Sequence, residues 1–149
     1  MEPTQPICIR QEHSSEREQV LELLTQSGLP VEDIVPECQV QFLVAEHEGA
    51  MAGCIGVELT GGHALIRSLA VRTANRGVGI GSRLLEAAES LCRQQGVRDS
   101  FLLTLTAEPY FARRGYRRTE RTRAPDDIAA TTEFASLCAV SSAFMTKRL

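Results

Sequence analysis

Apolar positions along this chain recur at two spacings, and the switches between them mark its elements. Val20, Leu21, Leu23 and Leu24 form a helical stripe that ends at Gly28 and Pro30, and Ser15 with Glu18 forms a capping box ahead of it. Residues 7–10 make a short edge strand, and 31–34 a further helical turn. Segments 41–46 and 51–59 alternate as paired strands, with His47-Glu48-Gly49-Ala50 as the hairpin turn. Gly61-Gly62 then turns the chain into an apolar strand over 64–71. Ile80, Leu84, Ala87, Ala88 and Leu91 return to helical spacing, which predicts a helix over 79–95 stopped at Gly96. A strand over 100–106 comes back beside 64–71, closing a βαβ crossover. A short helix over 109–114 stops at Gly115, a strand begins near Tyr116, a loop rich in Thr and Asp covers 122–133, and a strand over 143–148 closes the sheet. The pattern is α/β: an antiparallel N-terminal meander, then a parallel pair at 64–71 and 100–106, with helices on the flanks.

Composition narrows the class. The 149 residues suit one domain, 1–149, large enough to bury about two thirds of its unfolded surface. No apolar run approaches the roughly 18 residues of a membrane span, and Met1-Glu2-Pro3-Thr4 has no charged-then-apolar leader, so a cytoplasmic protein without membrane contact is expected. The five cysteines (Cys8, Cys38, Cys54, Cys92, Cys138) are scattered singly, which suits reduced thiols; Cys54 and Cys92 fall in apolar stretches and are expected in the core. No His/Cys/Asp/Glu cluster has metal-ligand spacing.

Charge is unevenly spread. Residues 1–62 carry 2 Arg against 11 Asp/Glu, while 63–149 carry 14 Arg/Lys against 8 Asp/Glu. The basic half suits an anionic ligand, and the acidic half disfavours general nucleic-acid binding. The run Arg113, Arg114, Arg117, Arg118, Arg121, Arg123 reads either as a solvated face or as a phosphate or substrate patch.

The candidate chemistry lies in Arg76-Gly77-Val78-Gly79-Ile80-Gly81, between the strand over 64–71 and the following helix. Glycines here let backbone N–H groups converge on an anion at a helix N-terminus. It is not a P-loop, since Ser82-Arg83 follows Gly81 without the lysine, and its G-x-G-x-G spacing is not the Rossmann G-x-G-x-x-G. With Leu69-Ala70-Val71 upstream and Tyr110-Phe111-Ala112-Arg113-Arg114-Gly115-Tyr116 downstream, R-x-x-G-x-G resembles the pyrophosphate-binding signature of the GNAT superfamily of acetyl-CoA-dependent N-acetyltransferases. The resemblance covers about residues 5–149 and is strongest over 64–116. It implies the GNAT fold, with strands 64–71 and 100–106 splayed around the pantetheine arm. It also implies an acetyl-CoA site made of Leu69, Ala70, Val71, Arg76, Gly77, Val78, Gly79, Ile80, Gly81, Ser82, Phe111 and Arg114. Two branches look most similar: the acetyltransferase domain of the N-acetylglutamate synthase type, and the small arsenic-resistance-associated N-acetyltransferases, whose tails resemble Thr132-Glu133-Phe134-Ala135-Ser136-Leu137-Cys138.

Direct acetyl transfer needs a base for the amine, donors for the oxyanion and a proton for the departing thiolate. Many family members carry a Glu where this chain has Arg67, and a Tyr where it has Phe111. Replacement bases are Glu58 first, then His63 or Glu108. Thr104 and Thr106, placed on one strand face by alternation, are candidates to serve the thiolate, and Tyr110 is adjacent. The backbone N–H near Val71 is the implied oxyanion donor. Arg67, beside Ser68, is expected to hold an acceptor carboxylate, unless its stem packs on a helix; the former would make the acceptor an amino acid or analogue. The expected partners are thus acetyl-CoA and a small amine, with a homodimer open and neither metal nor nucleic acid required. The competing expectation is an acyl-CoA-binding sensor that kept the fold and lost the chemistry.

Overall fold

In the computed structural model, residues 6–36, 38–137 and 141–149 are described. Seven strands form one sheet: β1 (Cys8–Gln11), β2 (Val40–His47), β3 (Ala50–Thr60), β4 (His63–Val71), β5 (Asp99–Thr104), β6 (Arg117–Arg118) and β7 (Ala143–Arg148). Their spatial order is β1-β2-β3-β4-β5-β7-β6. β4 and β5 are parallel and the remaining neighbours antiparallel, as the meander followed by a βαβ crossover requires.

Each sheet face finds its own cover. Helix α2 (Ile80–Gln94) lays Ile80, Leu84, Leu85, Ala88 and Cys92 on one face, against Ile55, Val57, Ile66 and Leu102. On the other face, α1 (Arg17–Gln26) packs Val20, Leu23 and Leu24 against Val40, Phe42, Val44 and Cys54. Further along that face, Leu65, Phe101 and Phe144 pack under Ile128 of the short helix α4 (Asp126–Ala129). Each buried Val, Leu, Ile or Phe among these contributes about 1.5–3 kcal/mol relative to exposure. Burial drives the Cys54 thiol up to about 12 and the Cys92 thiol up to about 11, so both stay protonated as small core hydrophobes. Cys138 lies outside the described residues. Among the described residues no helix is long and apolar enough to cross a membrane, and no group of His, Cys, Asp and Glu could hold a metal ion.

Several local expectations need correction. The capping interaction ahead of α1 is made two residues earlier than Ser15/Glu18: the His13 N–H donates to Glu16 Oε1 at 2.7 Å. Glu16 is the better cap because Arg10 of β1 also donates to both its oxygens, at 2.8 and 2.9 Å. The 122–133 loop is largely built structure, containing α4 and, before it, a 3₁₀ turn Arg121–Arg123; a π-helical turn Glu133–Leu137 follows it. β5 stops at Thr104, so Thr104 and Thr106 do not share a strand face.

The Arg10 pairing, with help from the His13 N–H, holds the Glu16 carboxyl at about 2, below its ordinary 4.5. A depressed folded-state value stabilises the protein above the unfolded value, and that contribution is lost as pH falls toward 2. Glu16→Gln should therefore lower stability by about 1–2 kcal/mol near neutral pH, the partly exposed Arg10 limiting the effect. Urea midpoints of the two proteins should converge at about pH 2; a constant difference across the range would contradict this origin.

Candidate functional site

The site begins with an irregularity in β4. Cys54 of β3 pairs with Ala70 and Gly56 with Arg67, so two residues of β4, Ser68 and Leu69, stand opposite Ile55 alone. This is a β-bulge, and Ser68 takes the left-handed conformation, with φ at 57°. Such backbone in a non-glycine residue costs about 1–3 kcal/mol and must be held by its surroundings. Two contacts hold it: Arg67 Nε donates to Ser68 Oγ at 3.1 Å, and Cys54 Sγ donates to the Ser68 carbonyl at 3.6 Å. The parallel pairing ends just before the bulge. Ile66↔Leu102 is its last rung, although β4 continues to Val71 and β5 to Thr104.

A cavity of about 1320 Å³ occupies the resulting gap and runs from the glycine loop to the α1–β2 connection. At one end Gly77 and Gly79 have φ of 89° and 82°, the left-handed region that side chains resist. Gly79 caps α2 with no side-chain hydrogen bond, and the first helical bond runs from Arg83 N–H to the Gly79 carbonyl. The N–H groups of Ile80, Gly81 and Ser82 precede that bond, line the cavity and carry the positive end of the helix dipole. Arg114 adds charge: it stacks on the Tyr110 ring at 3.6 Å and donates to Ser82 Oγ at 2.7 and 3.0 Å. Arg76 donates from Nε to the Val71 carbonyl at 3.3 Å. Cradle and charge together make this end of the cavity electropositive.

The opposite end is built around Arg67, whose side chain is fully buried. Gly56 makes this possible, since a Cβ there would sit 3.2 Å from Arg67 Cγ and 3.0 Å from Val40 Cγ1. Nη1 and Nη2 donate to the two oxygens of Asp33 at 2.5 and 2.8 Å. Nη1 lies 3.5 Å from Glu58 Oε1, and Nε lies 3.7 Å from Glu133 Oε2. Burial opposes the guanidinium charge, yet its hydrogen bonds to Asp33 and the nearby charges of Glu133, Asp33 and Glu58 raise its pKa above the usual value. Glu58 moves the other way for a carboxylate: burial raises its pKa against the pull of Arg67.

Of the expected cofactor residues, Leu69, Ala70, Val71, Arg76, Gly77, Gly79, Ile80, Gly81, Ser82, Phe111 and Arg114 line this cavity. Val78, expected in the cofactor site, and Ser68, expected with Arg67 to bind the acceptor, are not among its lining residues; Val78 is 60 % exposed. Thr104 and Thr106 both reach the cavity, and Thr104 Oγ1 accepts from the Ala107 N–H at 3.0 Å. Phe111 and Tyr110 line it from α3 (Glu108–Ala112), and a Cβ on Gly81 would stand 2.7 Å from the Tyr110 hydroxyl.

The expected bases are placed elsewhere. Glu58 sits behind Arg67 and is not a lining residue. His63 begins β4, at the end of the strand away from the gap, where Nδ1 pairs with Asp127 Oδ2 at 3.0 Å. Glu108 is exposed and ion-paired with Arg118 at 2.8 Å. Arg67, expected to hold an acceptor carboxylate, lines the cavity with Nη1 and Nη2 both donating to Asp33. The carboxylate that does line the cavity is Glu133, on the π-helical turn, which sequence reasoning did not single out. The available signal was Arg67 itself: a charge within an apolar strand must be paired, which directs attention to acids on the loops.

Comparison with known proteins agrees with this geometry. An uncharacterized N-acetyltransferase of Chlorobaculum tepidum is 38 % identical over 99 residues, 66 % of this chain and 63 % of that protein. An amino-acid acetyltransferase of Ralstonia nicotianae is 32 % identical over 88 residues, 58 % of this chain and 20 % of that protein. The chain therefore spans less than two thirds of either relative. N-acetylglutamate synthase from Neisseria gonorrhoeae, solved with coenzyme A and N-acetyl-glutamate, superposes with a TM-score of 0.81 at 24 % identity, covering 99 % of this chain and 36 % of that one. The acetyltransferase (GNAT) domain family matches residues 38–118, more than half the sequence, from β2 through the bulge and cradle to β6, and the chain belongs to that family.

Proposed function

We propose that this protein transfers an acetyl group from acetyl-CoA directly to the primary amine of a small molecule. The observation that carries the reading is the continuity of one cavity. It joins an anion cradle at the α2 N-terminus, through the gap between β4 and β5, to a buried charged cluster at Arg67. A pyrophosphate suits the cradle, and the gap leaves unpaired β4 backbone groups for the amides of a pantetheine arm. The neighbour solved with coenzyme A, and relatives named as N-acetyltransferase and amino-acid acetyltransferase, support the same reading. In direct transfer the ammonium loses a proton and its lone pair attacks the acetyl carbonyl. The C–S bond then breaks, and the second nitrogen proton goes to the departing thiolate, leaving an amide and a free thiol.

The test is a thiol-release assay with acetyl-CoA and a panel of alkylamines, polyamines, amino acids, aminoglycosides, and amino-substituted phosphinates and arsonates. The last two are included because residues 132–138 resemble the tails of arsenic-resistance-associated acetyltransferases. Amine-dependent thiol release above background is expected. Tight acetyl-CoA binding without release on any amine would support the acyl-CoA sensor instead.

A further inference from the structure

The acceptor end of the cavity has a definite charge balance. One buried guanidinium faces three carboxylates from separate parts of the fold: Asp33 from the α1–β2 connection, Glu58 from β3 and Glu133 from the π-helical turn. The donors of Arg67 are already directed, Nη1 and Nη2 to Asp33 and Nε to Ser68 Oγ with Glu133 alongside. An α-carboxylate arriving here would displace a bound acid to reach Arg67 and would stand beside the others. An ammonium meets the opposite situation, an excess of negative charge in a partly desolvated cavity. Among the four charged groups only Arg67 and Glu133 line the cavity, so Glu133 is the one of the three carboxylate residues that borders the space an acceptor would occupy. It lies beside the residue that leads into the β4 bulge, where the parallel pairing opens.

Resting on the proposed acetyl transfer, we infer that Glu133 is the catalytic base that receives the acceptor's ammonium, and that the acceptor is an amine with no carboxylate on the carbon bearing the nitrogen. Arg67 is a positioning residue, holding Glu133 at the cavity wall through Nε and the bulge through Ser68 Oγ. Glu133 takes one proton from the ammonium, which frees the lone pair for attack on the acetyl carbon, and later releases that proton to water. The charged groups near it include Arg67 at 3.7 Å, with Asp33 and Glu58 on the same guanidinium; three carboxylates around one guanidinium favour an ammonium over an anionic head group.

Two measurements test this. Wild-type kcat/KM is compared between ethylamine and phenethylamine on one side and glycine, glutamate and phenylalanine on the other. The amines should be preferred by at least about tenfold, the discrimination expected for one misplaced charge. Preference for the amino acids would overturn the acceptor class. Glu133→Gln should then lower kcat on the preferred amine by about 10²-fold or more, leave acetyl-CoA affinity within about twofold, and make the residual rate climb with pH as free amine accumulates. Glu133→Asp, which keeps the carboxylate, should recover part of the rate and serves as the readout if the glutamine variant does not fold. A Glu133→Gln rate within threefold of wild type with an unchanged pH profile, or a Glu133→Asp rate no higher than that of the glutamine variant, would overturn the base assignment. Absence of turnover by wild type on every amine would instead remove the acetyl-transfer reading on which the inference rests.

Discussion

Gly79→Glu is expected to weaken acetyl-CoA binding by more than about 100-fold, the largest effect of any single substitution at the site. Two costs combine. Gly79 has φ of 82°, and a residue with a Cβ is strained there by about 1–2 kcal/mol. The added carboxylate also stands at the helix N-terminus where the cradle gathers N–H groups, opposing a dianionic pyrophosphate by several kcal/mol. Since about 1.4 kcal/mol is tenfold in affinity, the sum exceeds two decades. Gly79→Ala separates the two, retaining the strain without the charge, and should lose about tenfold. Calorimetric titration with acetyl-CoA checks both; a Gly79→Glu affinity within a few-fold of wild type would exclude the cradle as the pyrophosphate site.

Arg67→Ala is expected to destabilise the fold by about 3–5 kcal/mol, because it leaves Asp33, Glu58 and Glu133 without the buried cation they share. Part of this loss should be recoverable without restoring the arginine. Adding Glu58→Gln removes one carboxylate from the unpaired cluster, and the double variant should be more stable than Arg67→Ala alone. Urea unfolding at neutral pH provides both comparisons. A midpoint for Arg67→Ala close to wild type would show that the cluster is not a stabilising unit, and no recovery in the double variant would show that Glu58 is not coupled to it.

The parts of the fold that could be read from sequence are those set by local pattern. β7 falls at the expected 143–148, α2 begins one residue after its glycine cap, and the hairpin between β2 and β3 turns at Glu48 and Gly49, both with positive φ. The place of the glycine loop between β4 and α2 was legible for the same reason, since glycine spacing, strand and helix are contiguous. The acceptor end was not, because its members are far apart in the chain and sit on segments without periodicity. Asp33 lies in a single turn and Glu133 in a π-helical turn, and neither has a pattern that reveals which strand it will face. Arg67 was noticed, but a charge within a strand shows only that a partner exists, and the structure supplies three from within the chain. Gly56, directly across β3, was the one local hint that a large side chain lies flat on that face.

We propose that the gap between β4 and β5 takes acetyl-CoA with its pyrophosphate on the α2 N-terminus and its acetyl group toward Arg67 and Glu133. A crystal structure of the protein with acetyl-CoA or its unreactive thioether analogue tests this most directly. Pyrophosphate oxygens are expected within hydrogen-bond distance of N–H groups in residues 77–82, and the pantetheine between residues 69–71 and 102–106. Coenzyme A bound on another surface, or with its pyrophosphate away from the glycine loop, would contradict it.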